Sequence, residues 1–225
     1  QLMAVLPFDL TAAQRRVGEE IAADLARRVP MHRLLQGDVG SGKTVVSALA
    51  ACLAMDAGWQ CALMAPTEIL AEQHFRKLVD WLEPLGIKVA WLTGSLKAKV
   101  KREQLAAVAS GEAQLVVGTH AVIQDQVEFA KLGLALIDEQ HRFGVAQRLQ
   151  LRSKLQSREL EPHLLMMSAT PIPRTLAMTY LADLEVSTID ELPPGRTPIV
   201  TRVFADGRRE EVIERIRDEV AKGSQ

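Results

Sequence analysis

The chain has 225 residues, 48% of them apolar, with 27 Lys and Arg against 28 Asp and Glu for a net charge of −1. A chain of this length and apolarity can bury an α/β core of about 190 residues plus a short extension. Its near-zero charge excludes a broad cationic field, and its longest apolar runs are too short to span a bilayer.

No signal-peptide pattern opens the chain, so a cytoplasmic location is expected, with no membrane partner. The two cysteines, Cys52 and Cys61, sit in apolar stretches without a second thiol at metal or redox spacing. They read as buried free thiols of a reducing compartment. Any nucleic-acid contact would have to come from local patches and backbone amides rather than from net charge.

In chain order, the first helical periodicity covers residues 12–28 and opens on Thr11-x-x-Gln14, the pattern of a capping box. An apolar strand at 31–36 follows. It runs into Gly37-Asp-Val-Gly-Ser-Gly-Lys43-Thr44, and an alanine-rich helix is predicted over 43–56. A glycine-rich loop between strand and helix fits the P-loop pattern, in which backbone N–H groups cradle phosphates. Gly37, Gly40 and Gly42 would form the turn around Ser41, Lys43 would reach the β/γ-phosphates of ATP, and Thr44 would hold Mg²⁺. The helix N-terminus adds its positive dipole end to the same site.

Further strands are predicted at 60–65, 87–92, 114–118, 132–137 and 163–168, with helices at 68–83, 99–109 and 173–181 among them. Strands alternating with helices imply an α/β fold: a mostly parallel central sheet in a three-layer α/β/α arrangement. The apolar run 132–137 delivers Asp138 and Glu139 to its C-terminal edge, where ligands bind in open α/β sheets. Asp138 would hold Mg²⁺ and Glu139 would polarise the attacking water, because phosphoryl transfer is mostly positioning and charge stabilisation. Met167-Ser168-Ala169-Thr170-Pro171 places two hydroxyls beside that edge. They would bond the second motif and relay the γ-phosphate state, or cap the helix starting near residue 173.

At 190–198 three prolines and a glycine mark a linker. The expected organisation is therefore a nucleotide-binding lobe at 1–189, the linker, and a truncated second unit at 199–225 with a strand at 199–204 and a helix over 208–222. One strand and one helix cannot make a domain, so the chain reads as a piece of a longer protein.

The chain resembles the superfamily 2 helicases of the DExH type, and within them the RecG-type branched-DNA translocases. The resemblance runs over nearly all of residues 7–205. It is carried by Leu6–Gln14, Gly37–Thr44, Ala65-Pro-Thr67-Glu-Ile-Leu-Ala-Glu-Gln73-His74, Leu92–Ser95, Gly118-Thr119-His120, Asp138-Glu-Gln-His-Arg-Phe-Gly144-Val and Met167-Ser-Ala-Thr-Pro-Ile-Pro-Arg-Thr175. Transcription-repair coupling translocases are similar here, but Ser41, Gln140 and the Met-Ser-Ala-Thr wording look closer to the RecG type.

The resemblance implies a RecA-like first motor lobe. It also implies adenine recognition by Gln14 with Phe8 near the base, beside the capping reading of Thr11-x-x-Gln14. Coupling of hydrolysis to motion would involve His141, Ser168 and Thr170. Contacts to a tracked DNA strand would come from Pro66, Thr67, Thr93, Gly94, Ser95, Gly118, Thr119 and His120, which offer hydroxyls and N–H groups at strand ends. Lys97, Lys99, Lys101 and Arg102 crowd a helix start, where the dipole disfavours cations; a phosphate partner would offset that cost, and a solvated basic face is the alternative. A second basic group, Arg142, Arg148, Arg152, Lys154 and Arg158, has no spacing that selects a role.

Implied partners are branched DNA (forks and Holliday junctions), a second motor lobe and a wedge domain. The arginine-finger motif of a second lobe is absent from this sequence, so slow hydrolysis and no unwinding are expected of the chain alone. A transcription-coupled repair translocase and a nucleotide switch without nucleic acid are the competing readings.

Overall fold

The computed structural model describes residues 2–139, 161–170, 184–191 and 201–223. The chain divides into two compact units, Gln1–Pro193 and Pro194–Gln225.

In the first unit the strands are β1 (His32–Gly37), β2 (Gln60–Met64), β3 (Val89–Leu92), β4 (Leu115–Gly118), β5 (Leu132–Asp138), β6 (His163–Ser168) and β7 (Glu185–Ile189). They form one sheet in the order β3-β4-β2-β5-β6-β1-β7, and every pair is parallel. The helices are α1 (Leu2–Val5), α2 (Ala12–Leu25), α3 (Lys43–Asp56), α4 (Glu68–Leu82) and α5 (Ala98–Ala109).

Successive strand side chains point to opposite faces, and both faces of this sheet are covered. Leu35, Leu63, Val117, Leu136 and Leu165 pack with Val17 and Ile21 of α2, Val45 and Val46 of α3, and Leu78 and Leu82 of α4. Leu34, Met64, Val116, Ile137 and Met166 pack on the other side with Ala107 and Val108 of α5. Burial on both faces is why these strands are continuously apolar rather than alternating. The fold is the three-layer α/β/α expected from the sequence.

The predicted strands and helices lie within a few residues of the observed ones, and the helix at 43–56 coincides with α3. Two elements were not foreseen. The α1 turn is only four residues long, with Leu2 buried. The edge strand β7 is half exposed and polar, so it carries neither an apolar run nor a turn signal. Long-range polar contacts hold it instead: Arg16 of α2 donates to the Thr188 carbonyl oxygen at 3.0 Å and to Asp190 at 2.9 Å. The buried Arg33 of β1 donates to Ser187 at 2.6 Å and to Asp24 at 2.7 and 2.9 Å.

The predicted helix at 173–181 lies outside the described residues, as does most of the predicted linker. In the second unit, residues 201–205 form no strand, contrary to the expectation for 199–204; residues 199 and 200 lie outside the described set. The helix there, α6 (Arg209–Ala221), has Ile213, Ile216 and Val220 exposed. Among the described residues no helix is long and apolar enough to cross a membrane.

Both cysteines are free, Cys61 fully buried and Cys52 partly so. Burial pushes the Cys52 thiol up to about 11 and the Cys61 thiol higher still. The thiolate is the reactive form, so neither side chain is expected to react with iodoacetamide at pH 7.5 in the folded protein. Mass spectrometry should find both alkylated only after denaturation.

Candidate nucleotide site

Strand order brings three strand ends together. β6 lies between β5 and β1, with Asp138 opposite Met167 and Gln36 opposite Ser168. The loop after β1, the acidic pair after β5 and the Ser168–Thr170 segment therefore share one edge of the sheet.

The loop Gly37–Thr44 has Gly40 and Gly42 in the left-handed region, with φ of 80° and 93°. At Gly42 a Cβ would also collide with the Gln14 side-chain amide. Glycine is thus required there by conformation and by space. Lys43 opens α3, and its ammonium donates to the carbonyl oxygens of Gly37 (2.6 Å) and Asp38 (3.1 Å). Burial holds Lys43 below the usual lysine range, while Asp138, Glu139 and Asp38 oppose that shift. The acidic pair therefore lies within electrostatic range of the lysine. Ser41 is buried, and its Oγ has no hydrogen-bond partner among the described residues. A buried hydroxyl without a partner is costly, and a phosphate oxygen would satisfy it.

Gln14 satisfies the capping box: its backbone N–H donates to Thr11 Oγ1 at 3.2 Å, and its Oε1 accepts from Thr11 N–H at 3.0 Å. The same side chain donates through Nε2 to the Ser41 carbonyl oxygen at 2.8 Å. One residue thus caps α2 and braces the phosphate loop. Phe8 is exposed and meets Trp81 edge-on, with ring centroids 6.2 Å apart. A groove of about 520 Å³ beside α1, α2 and α3 has Gln14 on its wall but otherwise lies away from the loop.

Asp138 is buried, and Glu139 takes a φ of 50°. A non-glycine residue in that region stores of order 1–3 kcal/mol of strain and persists only where its surroundings hold it. Two bonds hold it here: Glu139 N–H donates to the Met167 carbonyl oxygen at 3.0 Å, and Ala169 N–H donates to Glu139 Oε1 at 3.2 Å. Among the described residues, the bond from Ala169 N–H to Glu139 joins the two motifs. Ser168 Oγ and Thr170 bond mainly to each other, at 3.1 Å between hydroxyls. His141 and all five residues of the second basic group lie outside the described residues.

Asp138 has one partner that sequence reasoning missed. His74 Nε2 lies 2.7 Å from its Oδ2, with both side chains buried. The available signal was a polar residue on an apolar face: Ala71, His74, Leu78 and Leu82 are the buried positions of α4.

The residues expected to meet DNA gather at the ends of β2, β3 and β4, at one side of the acidic pair. Thr67 caps α4 by accepting from Leu70 N–H at 3.3 Å. Pro66 is partly exposed, and Thr67, Gly94, Ser95 and His120 are exposed. Thr93, Gly118 and Thr119 are buried, backbone included, and the Gly118 carbonyl oxygen and Thr119 N–H are bonded within the sheet. Ser95 donates to Glu68 at 2.9 Å, a carboxylate that would compete with a phosphate for the hydroxyl. Lys97 and Lys99 stand exposed at the start of α5, which has no acidic residue in its first turn.

A sequence profile of the DEAD/DEAH box helicases matches residues 11–179, from the Gln14 cap to beyond the Ser168–Thr170 segment. The chain belongs to the DEAD/DEAH box helicase family. Within that family it is 59% identical to ATP-dependent DNA helicase RecG of Escherichia coli O157:H7, across 96% of this chain and 31% of that protein. To the RecG of Aquifex aeolicus it is 52% identical over 97% of its length and 27% of the relative's. The chain thus spans about a third or less of the curated relatives it matches. Among solved structures, RecG bound to a three-way DNA junction superposes with a TM-score of 0.83 at 44% identity, covering 99% of this chain and 29% of that one. A hypothetical ATP-dependent RNA helicase from Sulfolobus tokodaii shares the fold, with a TM-score of 0.64 at 19% identity. Membership of this helicase family implies nucleotide use.

Proposed function

We propose that this chain is the ATP-binding first motor lobe of a RecG-type DNA helicase, which in the intact protein remodels forks and Holliday junctions in DNA repair and recombination. The observation that carries the reading is that strand register sets the Gly37–Lys43 loop and the Asp138–Glu139 pair at one sheet edge, in a chain so closely related to RecG proteins. Residues 199–225 would begin the second motor lobe, after the linker at 190–198.

In this reading the amides of the Gly37–Gly42 turn and Ser41 Oγ receive the phosphates. Lys43 exchanges its bonds to the Gly37 and Asp38 carbonyl oxygens for phosphate oxygens. Gln14, already fixed to Ser41, reports on the adenine side together with Phe8. Thr44 and Asp138 are hard oxygen donors that fit Mg²⁺, which is commonly held by one or two protein groups plus phosphates rather than by a full protein cage. When bound, that ion supplies charge neutralisation at the β- and γ-phosphates. Glu139, locked by Met167 and Ala169, orients the attacking water and accepts its proton. Because Ala169 N–H bonds Glu139, a change at the acidic pair reaches the Ser168–Thr170 segment directly, and from there the coupling assigned also to His141. The exposed Thr67, Gly94, Ser95 and His120, with the partly exposed Pro66, would follow one DNA strand, and the buried Thr93, Gly118 and Thr119 would hold the strand ends that present them.

The deciding experiment compares ATPase rates of the intact protein, and of this chain, with no DNA, single strand, linear duplex and a synthetic fork. Strong stimulation by the fork in the intact protein, with slow unstimulated turnover by the chain alone, is expected. Indifference of the intact protein to every DNA would overturn the helicase reading.

A further inference from the structure

We propose that His74 is a positioning residue for Asp138, fixing the carboxylate that the nucleotide reading assigns to the metal; the inference rests on that reading. Asp138 ends β5, and two rotatable side-chain bonds, Cα–Cβ and Cβ–Cγ, decide where its oxygens point. His74 Nε2 lies 2.7 Å from Asp138 Oδ2, and the two side chains are 11% exposed each. An ionised carboxylate only accepts hydrogen bonds, so the imidazole donates through Nε2–H, and the neutral ring suffices. With one oxygen held, rotation of the carboxylate is restricted, and with it the range of directions open to the second oxygen.

The imidazole is itself held firmly. His74 sits on the buried face of α4 between Ala71 and Leu78, both 0% exposed. The helix is anchored at its first turn by Thr67 and along its length by Leu78 and Leu82 in the core. A solvated aspartate at a strand end would need no such partner. A buried histidine in an otherwise apolar helix face is a cost unless its donor is used. Hydrogen-bond partners of metal-binding carboxylates typically change metal affinity or activity by 10–100-fold when removed. The tie also joins the metal ligand to the helix whose exposed first turn carries Thr67, one of the residues assigned to DNA.

The test uses Mn²⁺ with ADP as the probe, free Mn²⁺ being read by electron paramagnetic resonance. The change His74→Leu is expected to weaken Mn²⁺ binding in the presence of ADP by about 10–100-fold while metal-free ADP affinity stays within about twofold. The change His74→Gln, whose amide can donate at a similar reach, should restore Mn²⁺ affinity to within about threefold of the unchanged protein. Equal loss of metal-free ADP binding would make His74 merely structural, and unchanged Mn²⁺ affinity would remove its role; either result overturns the proposal. Should the leucine variant not fold, nitrogen-15 NMR of the unchanged protein decides: the Nε2–H tautomer with a slowly exchanging proton supports the tie, and the Nδ1–H tautomer overturns it. If the unchanged protein binds ADP neither with nor without Mn²⁺, the nucleotide reading itself has failed. That result is distinct from a failure confined to the variants.

Discussion

Glu139→Gln is expected to leave ATP binding within a few fold of the unchanged protein and to lower hydrolysis by about 10²–10⁴-fold, the range for losing a positioned proton acceptor. Glutamine keeps the shape of the side chain and its Oε1 acceptor for Ala169 N–H. The left-handed backbone at 139 and the bond from its N–H to Met167 are also retained. What disappears is the carboxylate charge and its ability to take a proton. Single-turnover hydrolysis in the intact protein, with fluorescent ATP-analogue binding alongside, separates the two effects. Turnover within a factor of about three of the starting rate would show that Glu139 is not the proton acceptor. Lys43→Ala provides the complementary loss, because it removes the cation aimed at the phosphates. Nucleotide binding and hydrolysis should both fall, while DNA binding by the intact protein stays intact.

Gly118→Ala carries the largest expected effect on stability. A Cβ at this position would overlap the backbone carbonyl oxygen of Leu92, and Val122 closes the space from the other side. The obstructing atom is backbone within the sheet, because Leu92 pairs with Gly118 across β3 and β4, so no side chain can rotate away. Relief requires parting the ends of two strands, and the cost should reach at least about 3 kcal/mol. For a protein of this size that corresponds to a fall in Tm of roughly 6–12 °C. Scanning calorimetry of this chain would measure it; a fall of under about 2 °C would mean that the strand ends part freely. The glycine that the motif Gly118-Thr119-His120 offers as a DNA contact thus has a sufficient packing reason to be glycine.

Much of the fold was legible in the sequence because most strands are buried on both faces, and such strands announce themselves as unbroken apolar runs. β7 escaped for the opposite reason. Besides its main-chain pairing with β1, it takes side-chain bonds from Arg16 and Arg33, more than 150 residues away in sequence, and pattern reading weighs only near neighbours. The strand expected at 199–204 shows the converse: an apolar-rich stretch without a paired neighbour among its described residues stays irregular.

At the site, the Gly37–Thr44 loop was readable because phosphate binding by a backbone turn imposes glycine at fixed spacing, followed by a cation and a hydroxyl. The acidic pair was readable from its place after an apolar strand. Gln14 had two readings, and the structure has it capping α2 and bracing Ser41 at once, since its amide has both an acceptor and two donors. A link from the acidic pair to residues 168–170 was expected through hydroxyls, and the structure adds one that spacing did not suggest, because the turn after β6 aims the Ala169 N–H at Glu139.

The sequence by itself determined the α/β class, the alternation of strands and helices, and the places of the glycine-rich loop and the acidic pair, since each follows from local spacing or from a run of one residue character. Only the tertiary structure decided which strand ends are neighbours, that β7 closes the sheet edge beside β1, that Thr93 and Thr119 are buried, and that His74 meets Asp138. Those facts depend on strand order and on helices laid across the sheet, and a one-dimensional pattern carries no information about which distant residues a parallel crossover brings to the same edge.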